Sequence, residues 1–356
     1  LPAQVKSASQ YVSDTVLDYG AISNGKLEAE VVYIDPDDKE GKEEARRFKV
    51  KPLRLDQRTS TKASLQLAYL GVSFQYGGKI EPLPPTSALS SNDLEYQLSS
   101  TIRRMIRKKK PKIGFTTGHG EATLARGLAN AKRYLKDYDV VSVDLKEGKK
   151  PIPADVEVLI IVGPRQRFAE KAKYELNKFL MAGKAIALFV DGMTLETPRG
   201  QFQGRQPPRI GRANNTGLEA MLRYWGVKVN ADIVMDPQNR PLPLVAGSGR
   251  AVLVNYPAFP VVTDFSRKSP ITKKLRQALL VFPSSVSLTA EAKADKQLTG
   301  EVLARSTANS WTHTGIFIFD PMRVPKPQKP GRGPFDLGVL LKGSFRSFFA
   351  GRAVPK

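Results

Sequence analysis

From Lys112 onward, short apolar runs alternate with stretches whose apolar residues recur at helical spacing, and this alternation limits the fold more than any other feature of the chain. The runs cover 113–117, 140–145, 156–163 and 185–190. The third is nearly all apolar, as a parallel strand buried on both faces requires. Between the first two, Leu124, Leu128, Ala131 and Leu135 fall on one face of an expected helix. A second helix is expected over 168–182, burying Ala169, Ala172, Leu176, Phe179 and Leu180, with Gly183 ending it. A third, over 218–225, leads into an apolar stretch at 227–229. The pattern predicts a doubly wound parallel sheet, whose ligand edge lies at the carboxyl ends of the strands.

Three strand ends carry turn chemistry on that edge: Thr116, Thr117, Gly118, His119, Gly120 and Glu121; then Gly163 and Pro164; then Asp191 and Gly192. A small-residue turn that opens a helix bares backbone N–H groups at the positive end of the dipole, which favours acceptors and anions. Thr116 to Glu121, Gly163, Asp191 and Gly192 are therefore the candidate ligand-binding residues. Each also has a plainer role: the glycines turn the chain, Glu121 answers the helix dipole, and Asp191 caps the next loop.

No catalytic residue is assigned. The chain has no cysteine, which excludes a thiol nucleophile on the strand-to-helix elbow, disulfides and thiolate zinc sites. His119 has no partnered nucleophile in its motif, and the other histidine, His313, is remote and lacks metal-ligand spacing. The expectation is a binding or scaffold protein on an enzyme-like fold, without metal or cofactor; a hydrolase or transferase using His119, Glu121 and Asp191 is the lesser alternative.

A net charge of +22 predicts attraction to anionic partners, while 41% hydrophobic and 25% charged residues are ordinary for a folded protein. The basic run Arg107, Lys108, Lys109, Lys110 and Lys112 has no interleaved aromatics, so it reads as cations at a helix C-terminus marking a domain junction. Nucleic acid is not an expected partner. An acidic glycan or cell-envelope polymer remains an alternative ligand. No run reaches the roughly 18 apolar residues of a membrane span, and no signal peptide opens the chain.

The first hundred residues follow another order. A helix starting at Pro2 carries Val5, Ala8, Val12, Val16 and Tyr19 on one face. A strand is expected at 28–34, a charged helix at 39–48, and a hairpin of 65–76 with 79–83 around Gly77-Gly78. A proline-rich stretch at 82–85 then leads to a helix with Leu94, Leu98, Ile102, Met105 and Ile106 on one face. This order is that of a thioredoxin-like unit without redox cysteines and without its first strand, which is expected to precede Leu1. Toward the other end, 199–212 reads as an exposed Arg-rich insertion and 236–249 as an irregular connection. Strands are expected at 251–255, 261–265 and 281–288, a packing anchor at Trp311, and a linker at 325–334. The stretches 335–341 and 344–349 either fold back or lead toward a membrane segment. The expected domains are 1–110 (thioredoxin-like), 111–290 (parallel α/β) and 291–356 (an α+β extension).

The segments VVYIDP at 31–36, YLGVSFQYG at 69–77, LEY at 94–96, GHGE at 118–121 and LIIVGP at 159–164 together resemble the GldG family, auxiliary substrate-binding-like subunits of gliding-motility-type ABC transporters. The resemblance spans nearly the whole chain. It implies a central domain similar to class I glutamine amidotransferases and intraflagellar-transport domains, though no Cys-His-Glu triad can be assembled here. It also implies membrane helices flanking the region, a position on the periplasmic side of the inner membrane, an ABC permease and ATPase as partners, and a role without catalysis.

Overall fold

The computed structural model describes all residues except 1–2, 36–37, 59–62, 84–93, 108, 197–208, 246–250, 321–322, 324, 327–330 and 356. Pro2, the prolines at 84–85, Lys108, most of the Arg-rich 199–212 stretch and part of the 325–334 linker lie outside the described residues. Contacts divide the chain into two compact units, Leu1–Lys110 and Pro111–Lys356.

In the first unit, α1 (Ala3–Ile22), α2 (Lys39–Arg47) and α3 (Leu94–Ile106) accompany two hairpins. Asp38 caps α2 by accepting from the Gly41 N–H, which satisfies one orphan donor of its first turn. The apolar stripe of α1 does what its spacing predicts: Ala8, Val12, Val16 and Tyr19 pack with Leu94 and Leu98 of α3 and with Leu70 and Leu83. Ile106, counted on the same face of α3, is exposed. The tight turn at Gly77-Gly78 joins β3 (Ser73–Tyr76) to β4 (Lys79–Pro82). The expected hairpin arm is split, however, because Ala63–Tyr69 (β2) pairs instead with Pro52–Arg58 (β1), a strand whose polar residues hid it. The strand expected at 28–34 does not form. An apolar alternation makes a strand only where a neighbour supplies ladder hydrogen bonds, and among the described residues none pairs with this segment.

The second unit is built on a four-stranded parallel sheet in the order β6-β5-β7-β8, from β5 (Lys112–Thr117), β6 (Asp139–Asp144), β7 (Val156–Val162) and β8 (Ala185–Phe189). The connection after β5 goes one way and that after β7 the other, so the switch point lies between these two central strands. Helix α4 (Glu170–Met181) crosses from β7 to β8 and buries Ala172, Leu176 and Phe179 in the main core, with Leu159, Ile161 and Phe168. Ala169, expected in that stripe, is the exposed N-cap.

The crossover from β5 to β6 is not the expected helix. Leu124, Leu128, Ala131 and Leu135 are half-buried on a chain that makes a bridge between Thr123 and Gly127 and then one 3-10 helix, Ala129–Tyr134. The Ala122 N–H is drawn to the Val162 carbonyl and the Leu128 N–H to that of Thr123, so no α-helical ladder starts after Glu121. Nor does the parallel sheet continue. After α5 (Glu219–Trp225), the 227–229 stretch forms β11 (Val227–Val229), antiparallel to β17 (Val286–Leu288).

The rest of the unit is a set of small antiparallel sheets. Residues 209–212, expected as the end of an exposed insertion, belong to β10 (Arg209–Ala213), which lies between β9 (Met193–Glu196) and β20 (Phe317–Phe319). Residues 239–245, expected as irregular, form β13 (Asn239–Val245) against the long β14 (Ala251–Val262), which also pairs with β16 (Ala278–Leu279). The short β12 (Asp232–Met235) pairs with β19 (Trp311–Thr314), where Trp311 packs into a second core with Met193, Ile233, Tyr256 and Phe317, as an anchor should. Finally β21 (Asp336–Gly343) folds back on β18 (Leu298–Arg305), which in turn pairs with β15 (Asp264–Phe265). α6 (Ala290–Ala294) precedes β18, and beyond β21 Phe348 and Phe349 enter the main core. Buried Asn177 of α4 holds that segment by accepting from the Phe348 N–H at 2.8 Å and donating to the Ser347 hydroxyl at 3.0 Å. The chain is thus a mixed α/β protein with one parallel sheet and several antiparallel ones.

Candidate functional site

The carboxyl rim of the parallel sheet is assembled by backbone hydrogen bonds between turns that lie far apart in sequence. The His119 carbonyl accepts from the N–H groups of Arg165 and Gln166, at 2.8 and 3.0 Å. The Asn214 side-chain amide donates to the carbonyls of Pro164 and Asp191, joining the ends of β7 and β8. On the other flank, Gly118 has a φ of +111° and lies so close to the next strand end that a Cβ there would stand 2.6 Å from the Lys146 nitrogen. Only glycine fits that approach in that conformation. Gly163, Asp191, Gly192 and the 116–121 turn are therefore gathered on one rim, as the spacing predicts.

The switch-point crevice, however, is filled. His119 is 2% exposed and stacks on Phe168, with ring centroids 3.7 Å apart and planes 14° from parallel. Its Nδ1 faces the Glu121 carboxylate at 3.5 Å, and neither ring nitrogen has a hydrogen-bond partner among the described residues. The other Glu121 oxygen accepts from the His119 N–H at 2.6 Å. Glu121 thus closes its own turn, replacing the missing helix. Thr116 is buried with its hydroxyl unpartnered, and Thr117 is half-buried. No helix begins there to present its N-terminal N–H groups; the Glu121 carboxylate takes the His119 N–H, and the Val162 carbonyl takes that of Ala122.

Electrostatics follows from this packing. Burial pushes the Glu121 carboxyl up, but the facing His119 ring and the backbone N–H groups of Glu121 and His119 outweigh it, and the net shift is downward. Stability supplied by Glu121 is therefore present above the ordinary glutamate pKa and lost as pH falls through the lowered folded value. Glu121→Gln is expected to cost about 1–3 kcal/mol at neutral pH. In urea unfolding at neutral and at strongly acid pH, the gap between parent and variant should shrink in acid, where both side chains are neutral; a gap independent of pH would refute this role. Asp191 is exposed by area yet sits in a dense part of the rim, where desolvation raises its carboxyl against the pull of Arg165.

Among the described residues no nucleophile is hydrogen-bonded to the His119 ring. His313 is elsewhere, in β19, with Nε2 3.1 Å from the Ile316 carbonyl. Among the described residues no group of three or more His, Asp or Glu side chains is placed to hold a metal ion. Three residues that build the rim were not singled out by their pattern: Phe168, which seals His119, and Arg165 and Asn214, which tie the turns. The run Asn214-Asn215-Thr216-Gly217 is a turn signal that could have flagged Asn214.

The profile of the family described as "ABC-type uncharacterized transport system" matches residues 110–356. An uncharacterized protein of Borreliella burgdorferi is 23% identical over 306 residues, covering 83% of this chain and 57% of its own length. The chain thus spans little more than half of that relative. A solved structure, the mmIFT52 N-terminal domain, aligns with 56% of this chain and 75% of its own at 17% identity and a TM-score of 0.36.

Proposed function

Because this chain belongs to the family of ABC-type uncharacterized transport systems, we propose that it is the auxiliary, non-catalytic component of such a transporter, working by contact with the permease and ATPase subunits. The family match over the larger unit carries the reading. The sealed rim supports its non-catalytic character: a reacting group must reach its acid or base, and Phe168 lies flat on His119 while the turns hydrogen-bond to each other across the switch point. The sequence resemblance adds a GldG-type, gliding-motility-related system, an amidotransferase-like lineage for the parallel sheet and a position on the periplasmic side of the inner membrane. The thioredoxin-like reading of the first unit rests on α1, α3 and the β3–β4 hairpin, without a strand at 28–34. Among the described residues no helix is long and apolar enough to cross a membrane, and the membrane helices that the resemblance implies would flank this region.

The test is purification of the full-length protein from detergent-extracted native membranes, followed by mass spectrometry of what accompanies it. A permease and an ATPase of the ABC class are expected at comparable abundance. Recovery without either, under conditions that keep other ABC complexes intact, would refute the proposal. The net charge of +22 favours a second reading, binding of an acidic cell-envelope glycan. Calorimetric titration with anionic and neutral polysaccharides should then give heat only with the anionic ones.

A further inference from the structure

Away from the rim, a cleft of about 710 Å³ opens between α5, α6 and the segment after β21. This is within the roughly 300–1,000 Å³ of small-molecule sites. Its walls are held in place by the fold. Gly226 ends α5 with a φ of +108°, and a Cβ there would stand 2.4 Å from the Ala292 Cβ, so α6 lies directly against the helix end. The Thr289 N–H donates to the Gly226 carbonyl at 2.9 Å. On the opposite side, Asn177 pins the backbone at Phe348.

Three arginines line this cleft, Arg223, Arg346 and Arg352, together with three carboxylates, Glu219, Glu291 and Asp295. The two sets are not paired with each other. Glu219 accepts from the Thr216 and Gly217 N–H groups and the Thr216 hydroxyl. Asp295 accepts from the Gln297 N–H at 2.8 Å. Glu291 sits in the first turn of α6, held below its ordinary pKa chiefly by its own N–H and the Thr289 hydroxyl, with Arg223 contributing least. None of the three guanidiniums is hydrogen-bonded or ion-paired to a carboxylate among the described residues. Arg352 instead lies over the Phe348 ring, 3.9 Å from its centroid, and Phe348 meets Tyr224 edge-on at 5.5 Å. A guanidinium laid on a ring keeps its N–H edges open to an oxyanion. Tyr224 is 46% exposed beside it, and Trp225 in the wall is 8% exposed with its indole N–H lacking an acceptor.

We propose that this cleft binds a small organic anion, whose phosphate or carboxylate meets the arginines while a flat apolar part lies along Tyr224 and Phe345. The carboxylates are already engaged by backbone amides, so the arginines are the groups left to recognise a ligand, and the aromatic wall supplies the apolar contact that an inorganic ion would not use. The site is independent of the transporter reading, since it uses neither the rim nor a partner subunit.

The test is titration of the full chain with phenyl phosphate, benzoate, inorganic phosphate and benzylamine, followed by calorimetry and by tryptophan fluorescence. Binding of phenyl phosphate or benzoate is expected, with inorganic phosphate weaker by at least about tenfold and benzylamine silent. The double variant Arg346→Gln/Arg352→Gln should lose about tenfold or more in affinity, whereas Arg133→Gln, an exposed arginine outside the cleft, should not. Trp225→Phe should remove the fluorescence change while calorimetry still detects the ligand. Thermal unfolding of each variant establishes that it is folded. Absence of binding by both aromatic anions would overturn the proposal, as would equal loss in Arg133→Gln, or affinity for inorganic phosphate equal to that for phenyl phosphate.

Discussion

Replacing Phe168 with alanine is expected to lower the unfolding free energy of the larger unit by about 3–5 kcal/mol, the cost of emptying a fully packed aromatic site. The side chain is 1% exposed and belongs to the main core, with Leu159 and Ile161 of β7 and Ala172 and Leu176 of α4. It also covers the His119 ring, so its removal uncovers a buried imidazole facing a carboxylate. Both tryptophans, Trp225 and Trp311, lie in the larger unit, so their fluorescence in a urea titration reports its unfolding apart from the first unit. Phe168→Leu should cost less, because most of the volume is refilled while the stack is lost. A cost below about 1 kcal/mol for the alanine variant would mean that the ring is not packed as described. The pair also separates stability from access: if the rim is sealed chiefly by this ring, His119 in the alanine variant should react with diethyl pyrocarbonate under native conditions, where the parent does not.

Asp232→Ala is expected to cost about 2–6 kcal/mol, because two buried donors would each lose their acceptor at about 1–3 kcal/mol apiece. The Asp232 carboxylate accepts from the Ser285 N–H at 2.8 Å and from the Ser285 hydroxyl at 2.6 Å. The Asp232 carbonyl accepts from the Ser284 hydroxyl, which in turn accepts from the Gly192 N–H. This chain of bonds ties the end of the parallel sheet to the antiparallel part. Burial raises the Asp232 carboxyl, with Ser285 and then Lys228 opposing. A raised folded pKa means that ionisation costs more in the folded than in the unfolded state, so stability from this group is greatest in acid and declines as pH rises from the ordinary aspartate value through the folded one. Asp232→Asn keeps an acceptor for the Ser285 N–H and can donate to the Ser285 oxygen without the charge. It should therefore be far milder than alanine. Equal losses in the two variants, read by the same fluorescence titration, would show that the hydrogen bonds are not what matters there.

What could be read from pattern and what could not differ in their physics. Of the four runs that became β5 to β8, the third was the plainest, because a central parallel strand must be apolar along nearly its whole length whatever the partners are, and the others show as short apolar runs closed by turn residues. The α1 stripe and the turn at Gly77-Gly78 were legible for the same reason: local geometry alone imposes the residue type. The helix expected after β5 was not. Leu124, Leu128, Ala131 and Leu135 have helical spacing, but the Ala122 N–H has a better partner in the Val162 carbonyl, and that carbonyl belongs to a strand not yet made when the segment is read alone. The 28–34 stretch failed in the opposite sense, with a strand-like pattern and, among the described residues, no neighbour that pairs with it. Strands β10 and β13, read as loops, are glycine-, arginine- and proline-rich segments made regular by their pairing with β9, β20 and β14.

For the candidate site the division is sharper. That 116–121, Gly163, Asp191 and Gly192 share one rim follows from strand direction and turn residues, and the structure places them so. Whether the rim is open or closed could not follow from those residues, since it depends on Phe168 and Asn214, which reach it from other elements. The order of turn residues and apolar runs, by itself, determined a parallel sheet with its glycine-bearing ends together, because backbone conformation and two-sided burial act within a few residues. Only the tertiary structure decided that His119 is stacked beneath a ring, that the C-terminal segment completes the core and that three arginines border one cleft. Such facts come from contacts between distant parts of the chain, whose hydrogen bonds and packing no local pattern encodes.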